Sequence, residues 1–321
     1  MDFSREYLID YFTNNNVGYL YFNPAYFYDI DESEICITDN NDKLLDYKIK
    51  KTSNDKFNIV YFIEITNYNF NNEINIKILK YNYQKCIVLP KINYDECYLQ
   101  SVIMMKDEYY NIPNFIDYYK SKHEIDRFII FDNNSTNLLE KLKFKEYIKN
   151  RSDIVYIEFN MPYIYIHNFV NTTCLANYFI IAQNTCYSIA IKKYNAIWSM
   201  LFDLDEYIIY KNKSLKKILF ELDDSIESVQ INGYWSGCNG MNKYNFNPSY
   251  VNKRSNIKCM PKNILKNKYN DFTQDIHWVQ YPIKKYELNI DNIYFFHFKI
   301  LSIKNRHCEC FTDCSVISSL T

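Results

Sequence analysis

Residues 196–210, AIWSMLFDLDEYIIY, constrain the fold more than any other stretch of the chain. An apolar, aromatic run ends in Asp203, Leu204, Asp205 and Glu206, and apolar residues then resume. The run is too short and too charged to cross a membrane, and it predicts a buried central strand. Unpaired buried carboxylates are costly, and a divalent metal is the economical counter-charge. Since residues i and i+2 of a strand face the same way, Asp203 and Asp205 can present their carboxylates to one hard cation.

Strands and helices alternate from about residue 96 onward. Strand-like runs are YLQSVIMM, DRFIIF and DIVYIEF, and helix-like runs are NIPNFIDYYKSKH, NLLEKLKFKEYIKN and ANYFIIAQNTCYSIAIKKY. This order predicts an α/β fold with a mostly parallel sheet flanked by helices. Ligands bind such sheets at the carboxyl ends of the strands. Polar clusters fall at three of those ends, at residues 106–108, 132–135 and 203–205.

The region before residue 96 has a different sequence pattern. Short apolar runs, VGYLYF, EICIT, FNIVYFIEIT, EINIKIL and KCIVL, are separated by turns rich in Asn and Asp. This spacing predicts a small β-rich accessory domain over residues 1–95, ahead of the α/β domain over 96–321. The region shows no catalytic constellation, so a structural or sugar-binding role is expected of it.

Glycine is concentrated in one stretch. Of the four glycines in the chain, Gly233, Gly237 and Gly240 lie in GYWSGCNG. A chain that avoids glycine elsewhere uses it here for backbone shape or for close approach of a ligand. We expect a loop packed against a substrate, with an ordinary tight turn as the alternative. Trp235 in this stretch can stack on a sugar face or lie buried in the core.

Charge and composition exclude several classes of function. The formal net charge is −1, so no overall field favours nucleic acid or an anionic membrane. The N-terminus lacks a basic segment followed by an apolar one, and no run of 18 apolar residues occurs. A soluble chain without a secretory signal or membrane anchor is therefore expected.

The ten cysteines are scattered, which fits reduced thiols in a cytoplasmic setting. The tail RHCECFTDC has no CxxC pair, which disfavours a zinc site. The abundance of Asn, Lys, Ile and Tyr indicates an A+T-rich genome. A large DNA virus is one such source, and the chain would then act in the host cytoplasm or the virion. A protist or a bacterium is another.

Several ordered motifs resemble the glycosyltransferase family 92 (DUF23-like) domain. The segment VIMMKDEYYNIPNFIDYYKSKHEIDRFIIFDNNST resembles its opening strand, Lys-Asn-Glu, helix and strand ending in Asp-Asn-x-Ser. The segment AQNTCYSIAIKKYNAIWSMLFDLDEYI resembles its Gln-x-x-x-x-Cys helix and Asp-x-Asp-Glu strand. IKCMPKNI, DIHWV and FFHFKILS resemble its later Lys and His elements. Asp107 and Phe298 depart mildly, since the family usually has Asn and Tyr there.

The resemblance covers the chain from about residue 98 and implies a GT-A (Rossmann-like) fold. It also implies a nucleotide-sugar donor, with a UDP-sugar favoured, and a Mn²⁺ or Mg²⁺ ion. Such an ion stabilises the charge of the departing diphosphate. Asp205 is the expected direct ligand, and Asp203 binds the metal or the ribose. His277 or His297 is the expected third ligand, although a lone His is more often a packed residue.

Further donor contacts follow from the same resemblance. Glu108 is a candidate for the base or ribose, and Asp132 for the ribose hydroxyls. Lys258 could offset phosphate charge, with a solvated lysine as the alternative. Gly237 and Trp235 of the glycine-rich stretch are candidates for contact with the donor.

Known members of the family invert the anomeric centre, which requires a base for the acceptor hydroxyl. The expected acceptor is a glycan or a protein-linked glycan. WSGCNGMNKYNFNPSY contains no acid that could act as this base. Asp271 and Asp275 of NDFTQD are the nearest acids downstream and are the candidates, with a solvated loop as the alternative.

Two other functions remain open from the sequence. FDLDEYI also resembles the opening of haloacid-dehalogenase-like phosphatases, in which Asp203 would be the nucleophile and Asp205 its acid-base partner. That motif normally follows the first strand of its domain and continues Gly-Thr, whereas here it follows several strands and continues Glu-Tyr. The second alternative is an inactive carbohydrate-binding or structural protein of the same fold. The missing base favours it, and the intact Asp-x-Asp opposes it.

Overall fold

The computed structural model of the protein describes residues 7–24, 30–52, 60–161, 164–166, 178–210, 213–236, 258–267, 285–288 and 293–298. Its contacts divide the chain into two compact units. The first contains the described residues up to 96 together with those between 161 and 195, and the second contains the rest. The segment 161–195, expected in the second domain, thus clusters with the first unit. The limits 1–95 and 96–321 remain a prediction.

Antiparallel sheets dominate the first unit. A four-stranded sheet has the order β1-β2-β5-β4, and a three-stranded sheet has the order β3-β6-β7. The strands are β1 (Leu8–Asn14), β2 (Val17–Phe22), β3 (Ile35–Asp39), β4 (Tyr47–Thr52), β5 (Val60–Ile65), β6 (Glu73–Ile78) and β7 (Tyr83–Val88). Single 3₁₀ turns lie at Glu32–Glu34 and Leu79–Tyr81.

Alternating apolar residues build the core of these sheets. Ile74, Ile76 and Ile78 are all fully buried, because a period of two places them on one face of β6. They belong to one buried cluster with Ile37 of β3 and Ile63 of β5, so both sheets contribute to a shared core. The predicted β-rich region is therefore confirmed.

Residues 164–193 add a small hairpin and a helix to the first unit. Strand β11 (Ile164–Ile166) pairs antiparallel with β12 (Tyr178–Ile180), and helix α3 (Ile181–Lys193) follows directly. The predicted helix over ANYFIIAQNTCYSIAIKKY is thus too long at its start. Its residues Tyr-Phe-Ile form a strand, which suits aromatic and β-branched side chains. An ion pair of 2.8 Å between Lys193 and Asp10 joins α3 to β1.

A nine-stranded mixed sheet forms the second unit, with the order β10-β9-β8-β13-β16-β15-β18-β14 and β17 also paired to β15. Five of its eight strand pairings are parallel, so the predicted mostly parallel α/β sheet is confirmed. Its strands are β8 (Cys97–Met105), β9 (Arg127–Asn133), β10 (Ile154–Phe159), β13 (Ala196–Leu201), β14 (Glu206–Ile209), β15 (Ser228–Ser236), β16 (Lys258–Lys266), β17 (Lys285–Glu287) and β18 (Tyr294–Phe298).

The order of the parallel strands contains a point at which its direction reverses. In chain order, β8, β9, β10 and β13 are the first four strands of the unit, and they lie in the sheet as third, second, first and fourth. The direction of the strand order therefore reverses between β8 and β13. Open α/β sheets bind ligands outside the carboxyl ends of the strands at such a switch point.

Helices connect the parallel strands. Helix α1 (Ile112–His123) follows β8, helix α2 (Leu138–Ile148) follows β9, and the short helix α4 (Leu215–Phe220) precedes β15. Pro113 lies in the first turn of α1, as predicted. The helix buries Ile112, Phe115, Ile116, Tyr119 and His123, a spacing that puts one apolar face on the core. Among the described residues, no helix has the length and apolarity needed to span a membrane.

Candidate functional site

The switch point between β8 and β13 brings the carboxylates of residues 203–206 to the carboxyl end of β13. The stretch predicted as one strand is two strands, β13 and β14, joined by a turn. The backbone N–H of Asp203 donates to Glu206 Oε2 at 3.0 Å, and the N–H of Glu206 donates to the carbonyl of Asp203 at 3.1 Å. Glu206 therefore closes the turn. Because Asp203 and Asp205 lie in this turn, the strand alternation expected for them does not apply, and each has a different partner.

Lys262 supplies the counter-charge for two of the three acids. Its Nζ lies 2.8 Å from Asp203 Oδ2 and 3.0 Å from Glu206 Oε2, and its side chain is fully buried. The antiparallel pairing of β16 with β13 and β15 carries it to this position. Asp203 and Glu206 thus have a protein cation as partner, and metal binding by Asp203 stays a prediction. Sequence reasoning missed Lys262, whose only sequence signal is a lysine between the apolar residues of KCMP and NIL.

Lys258, the lysine expected to meet phosphate, begins β16 and is exposed, with its register partner Tyr234 on β15. Lys262, and not Lys258, is the lysine of β16 that contacts the carboxylates. A role for Lys258 towards a donor phosphate stays a prediction.

His297 is the counter-charge of Asp205. Its Nε2 lies 3.1 Å from Asp205 Oδ2, and its Nδ1 lies 3.7 Å from Glu206 Oε1. The pairing of β14 with β18 sets this contact, since Glu206 and His297 are register partners. Burial opposes the charged form of the ring, but the Asp205 carboxylate outweighs burial and, with Cys259 as a further hydrogen-bond partner, raises the pKa of His297 to about 11.

The carboxyl group of Glu206 is almost fully buried, at 1% exposure. Burial raises the pKa of Glu206 to about 7, the Lys262 ammonium opposes this shift, and the charge of Asp203 adds to it. With both oxygens facing partners, the buried Glu206 carboxylate holds the turn in shape.

The ring of Trp235 stacks on His297. The ring centroids are 4.2 Å apart and the planes differ by 26°. Strands β15 and β18 are parallel neighbours with these two residues in register, which brings the rings together. Trp235 therefore supports the imidazole from one side, and its stacking on a sugar stays a prediction.

The glycine-rich stretch begins as a strand, because residues 233–236 belong to β15. A Cβ atom at Gly233 would overlap Phe295 and Cys259, so this glycine permits close packing between strands. The neighbours that its missing Cβ admits are core side chains, and contact of the glycine-rich stretch with a substrate stays a prediction. Gly237 lies outside the described residues.

Asp205 and His297 are the two predicted metal ligands that the structure brings into contact, and metal binding by them stays a prediction. Asp205 Oδ2 and His297 Nε2 are separated by 3.1 Å. Within the described ranges, no group of three or more His, Cys, Asp and Glu residues is arranged to hold a metal. His277, the other predicted ligand, lies outside those ranges, as do the candidate bases Asp271 and Asp275.

A second buried carboxylate, Asp132, ends β9 and has only 1% exposure. The hydroxyls of Tyr109 and Tyr156 each donate to Oδ2 at 2.5 Å, and the N–H of Ser135 donates to Oδ1 at 3.0 Å. Lys141 Nζ lies 3.5 Å from Oδ2. Burial by itself would raise the pKa of Asp132, but the hydrogen bonds from Ser135, Tyr109 and Tyr156 hold it below its usual value.

The loops after β8 and β9 are joined to each other. The carboxylate of Asp107 accepts the N–H groups of Thr136 at 2.6 Å and Asn137 at 3.0 Å, and its own N–H donates to Ser135 Oγ at 2.7 Å. Asp107 has a φ of 55°, a left-handed conformation that Asn and Asp tolerate best among residues with a side chain. Its neighbour Glu108 is half-buried. The clusters at residues 106–108 and 132–135 were predicted to lie at the same edge of the sheet, and this is confirmed for the ends of β8 and β9.

Comparison with known proteins does not place the chain in a family. No family model matches it, so the resemblance to glycosyltransferase family 92 is not confirmed. No curated protein matches it either.

Solved structures with partial similarity exist. They include a WbbM bifunctional glycosyltransferase (10% identity, 46% of this chain, 26% of that chain, TM-score 0.28) and S. aureus TarS 1-349 in complex with UDP-GlcNAc (15%, 67%, 61%, 0.35). A third is glucosyl-3-phosphoglycerate synthase from Mycobacterium tuberculosis with Mn²⁺, UDP and glucosyl-3-phosphoglycerate (13%, 44%, 45%, 0.25). The chain spans less than two thirds of each of these, and likenesses at this level carry no argument about activity. The class defined here is thus a mostly parallel α/β unit with a mixed-charge cluster at its switch point.

Proposed function

We propose that the second unit is a GT-A-type glycosyltransferase that uses a nucleotide sugar, with a UDP-sugar favoured. The observation that carries the proposal is the position of Asp203 and Asp205 at the switch point between β8 and β13. Sheets of this strand order bind nucleotides outside the carboxyl ends of the strands at that point. The ordered motifs from about residue 98 onward add the resemblance to a sugar-transferring family.

Charge bookkeeping at the cluster supports a divalent metal cofactor. Asp203, Asp205 and Glu206 are three acids, and Lys262 and protonated His297 are two cations, so the cluster retains one negative charge when all five are ionised. An anionic diphosphate would be repelled by it without a further cation. Asp205 and His297 are the residues that would hold Mn²⁺ or Mg²⁺, with His277 as the proposed third ligand. Such an ion stabilises the negative charge that develops on a departing diphosphate.

The other residues of the cluster hold the site in shape. Lys262 and Glu206 fix the turn that presents Asp203, whose side chain is 31% exposed and can accept a ribose hydroxyl. Trp235 stacks on the His297 ring and restricts its movement on that side. Glu108 and Lys258 remain proposed donor contacts, for the base or ribose and for the phosphates.

We infer an inverting transfer to a glycan or a protein-linked glycan. A base removes the proton of the acceptor hydroxyl, whose oxygen attacks the anomeric carbon while the bond to the diphosphate oxygen breaks. Asp271 and Asp275 are the proposed bases. Glu206 is unsuited to this step because it is buried and already paired.

The proposed function is tested with a panel of nucleotide sugars assayed for hydrolysis and transfer with Mn²⁺. We expect turnover of a UDP-sugar that excess chelator abolishes, and a loss of about 100-fold or more in Asp205→Asn, since metal chemistry contributes several kcal/mol to the barrier. Tyr210→Phe, a change at a half-buried residue just beyond β14, is the matched control.

Full activity of Asp205→Asn, or activity in excess chelator, would contradict the metal-dependent mechanism. Thermal stabilisation by a nucleotide sugar without any turnover would favour the inactive, carbohydrate-binding alternative. Trapping of a phosphoryl group on Asp203 would favour the phosphatase. The sheet gives that alternative no support, since β13 is the fourth strand of its unit and not the first.

A further inference from the structure

The first unit contains a cavity of about 680 Å³ that is separate from the carboxylate cluster. Three segments line it, residues 13–16 at the β1–β2 hairpin, residues 68–71 before β6, and residues 88–93 after β7. A volume of this size lies within the range of small-molecule sites in proteins, ~300–1,000 Å³.

Side-chain amides dominate the polar part of the lining. Six of the fourteen lining residues are asparagines: Asn14, Asn15, Asn16, Asn69, Asn71 and Asn93. Each amide carries both donors and acceptors, which is what a ligand rich in hydroxyl groups requires. The chain is rich in Asn throughout, so the informative feature is that amides from three segments converge on one cavity.

Two of these amides are already engaged, and four are available. Asn14 Nδ2 donates to the carbonyl of Lys192 at 2.6 Å, and Asn69 Oδ1 accepts the N–H of Asn71 at 3.2 Å. The remaining four are exposed, and within the part of the chain that the structure describes their side chains have no protein hydrogen-bond partner, so their amides are open to a ligand from solvent. Those four are Asn15, Asn16, Asn71 and Asn93.

Two aromatic rings form part of the apolar wall, together with Val88, Leu89, Pro90 and Ile92. Tyr68 and Phe70 are half-buried, and their ring centroids lie 5.6 Å apart at an angle of 79°. The hydroxyl of Tyr68 donates to the carbonyl of Glu73 at 2.9 Å, which holds its ring in place. Aromatic rings suit ligands that have an apolar face and hydroxyl groups at the edge, as pyranose rings do.

Gly18 determines where the Phe70 ring can lie. A Cβ atom at this position would approach Phe70 Cε1 to 2.6 Å and Leu89 Cδ1 to 2.8 Å. Gly18 is the one glycine of the chain outside the stretch 233–240. Its lack of a side chain therefore makes room for a wall of the cavity.

The charge of the lining excludes other ligand classes. Lys91 is its one charged residue, and no carboxylate lines the cavity. A single lysine does not make a site for a nucleotide diphosphate or a nucleic acid, which need several cations or backbone N–H groups. The absence of acids from the lining also disfavours a metal ion.

We propose that this cavity binds a neutral oligosaccharide. Three features together fit this ligand: aromatic rings for the faces of the sugars, amides that can pair with hydroxyl groups, and a lining with almost no charge. None of the three alone would identify a sugar. The proposal does not depend on the sugar transfer assigned to the second unit, because every residue that carries it lies in the first unit.

The test is binding of neutral oligosaccharides to the full chain, measured by saturation-transfer NMR and calorimetry. Chitotriose, mannotriose, maltotriose and lactose are the probes, used with the wild type and with Asp205→Asn so that turnover cannot obscure binding. We expect at least one probe to bind both proteins equally. Phe70→Ala should weaken binding at least tenfold, Asn93→Ala should weaken it several-fold, and Gly18→Ala should weaken it by displacing the ring.

Asn40→Ala, an exposed amide in the β3–β4 turn away from the cavity, is the matched control and should bind like the wild type. Since Phe70→Ala can disturb folding, the surface variant Asn93→Ala decides the matter if the melting temperature of Phe70→Ala falls. Failure of all four probes to bind, or unchanged binding in Asn93→Ala and Phe70→Ala, would overturn the proposal. So would a preference for sialylated or phosphorylated oligosaccharides.

Discussion

Two groups of carboxylates lie at carboxyl ends of parallel strands in the second unit, and they are stabilised in different ways. Asp132 at the end of β9 accepts hydrogen bonds from neutral donors, two tyrosine hydroxyls and a backbone N–H, with the Lys141 ammonium farther away at 3.5 Å. The cluster of residues 203–206 at the end of β13 is held by the charges of Lys262 and His297. The exposed fractions differ accordingly, 1% for the Asp132 side chain against 31% for that of Asp203.

The comparison shows that a strand-end position does not by itself make a ligand site. Asp132 already accepts two short hydrogen bonds on Oδ2 and one of ordinary length on Oδ1, so an incoming hydroxyl would compete with these donors. Asp205, by contrast, is held by a protonated histidine whose proton a metal ion can replace. The predicted ribose contact of Asp132 would require its tyrosines to move, whereas the predicted metal contact of Asp205 requires only an exchange of cations.

The largest expected effect concerns the charge-held cluster. Lys262→Met would leave Asp203 and Glu206 without their shared cation, and Glu206 is buried. We expect a loss of about 3–5 kcal/mol in the free energy of unfolding, the usual result of removing one partner from a buried ion pair. Urea denaturation at pH 7 measures it.

Lys258→Met, at an exposed position of the same strand, is the control and should change stability by less than about 0.5 kcal/mol. Adding Glu206→Gln to Lys262→Met should recover part of the loss. If Lys262→Met is as stable as the wild type, the two clusters do not differ in the way described.

A smaller effect distinguishes a neutral histidine from the charged His297. His123 is buried, its Nε2–H donates to the carbonyl of Ile208 at 2.9 Å, and its Nδ1 has no partner among the described residues. Burial lowers the pKa of His123 to about 4. Its contribution to stability is therefore complete above the unfolded pKa of ~6.5 and is lost as pH falls towards 4.

The wild type should lose about 2–3 kcal/mol more than His123→Gln when urea unfolding is repeated at pH 4.5 instead of 7.5. The glutamine retains an N–H donor for Ile208 but cannot titrate, so the difference isolates the histidine. Parallel pH profiles of the two proteins would show that His123 is protonated in the folded state.

The smallest expected effect tests the neutral-donor group. Tyr156→Phe removes one of the two hydroxyls that donate to Asp132 Oδ2 while keeping the ring. We expect a loss of about 1–3 kcal/mol, because hydrogen bonds to charged groups contribute in that range. Thermal and urea unfolding measure it, and Tyr83→Phe in the first unit serves as a tyrosine control.

If Tyr156→Phe is neutral in stability and also impairs nucleotide-sugar turnover, Asp132 would be a binding residue after all. The two groups would then differ in how their carboxylates are held, but not in whether those carboxylates can bind a ligand.

Much of the architecture could be read from local patterns. The short apolar runs separated by turns rich in Asn and Asp predicted the β-rich region, and the alternation of strand-like with helix-like segments predicted the mostly parallel sheet. Errors arose where local patterns are ambiguous. Residues 178–180 form a strand at the start of a predicted helix, and Gly233 lies in β15 instead of a loop. Short apolar runs do not distinguish a helix from a strand by periodicity alone.

The sequence by itself determined that acids would cluster after the strand of residues 196–201, and that they would need cations. Only the tertiary structure decided which cations these are. Lys262 and His297 lie about 60 and 90 residues further along the chain, and the pairing of β16 and β18 with their neighbours brings them to the turn. No local pattern encodes such pairing, because register depends on how all strands of the sheet bury their apolar faces together.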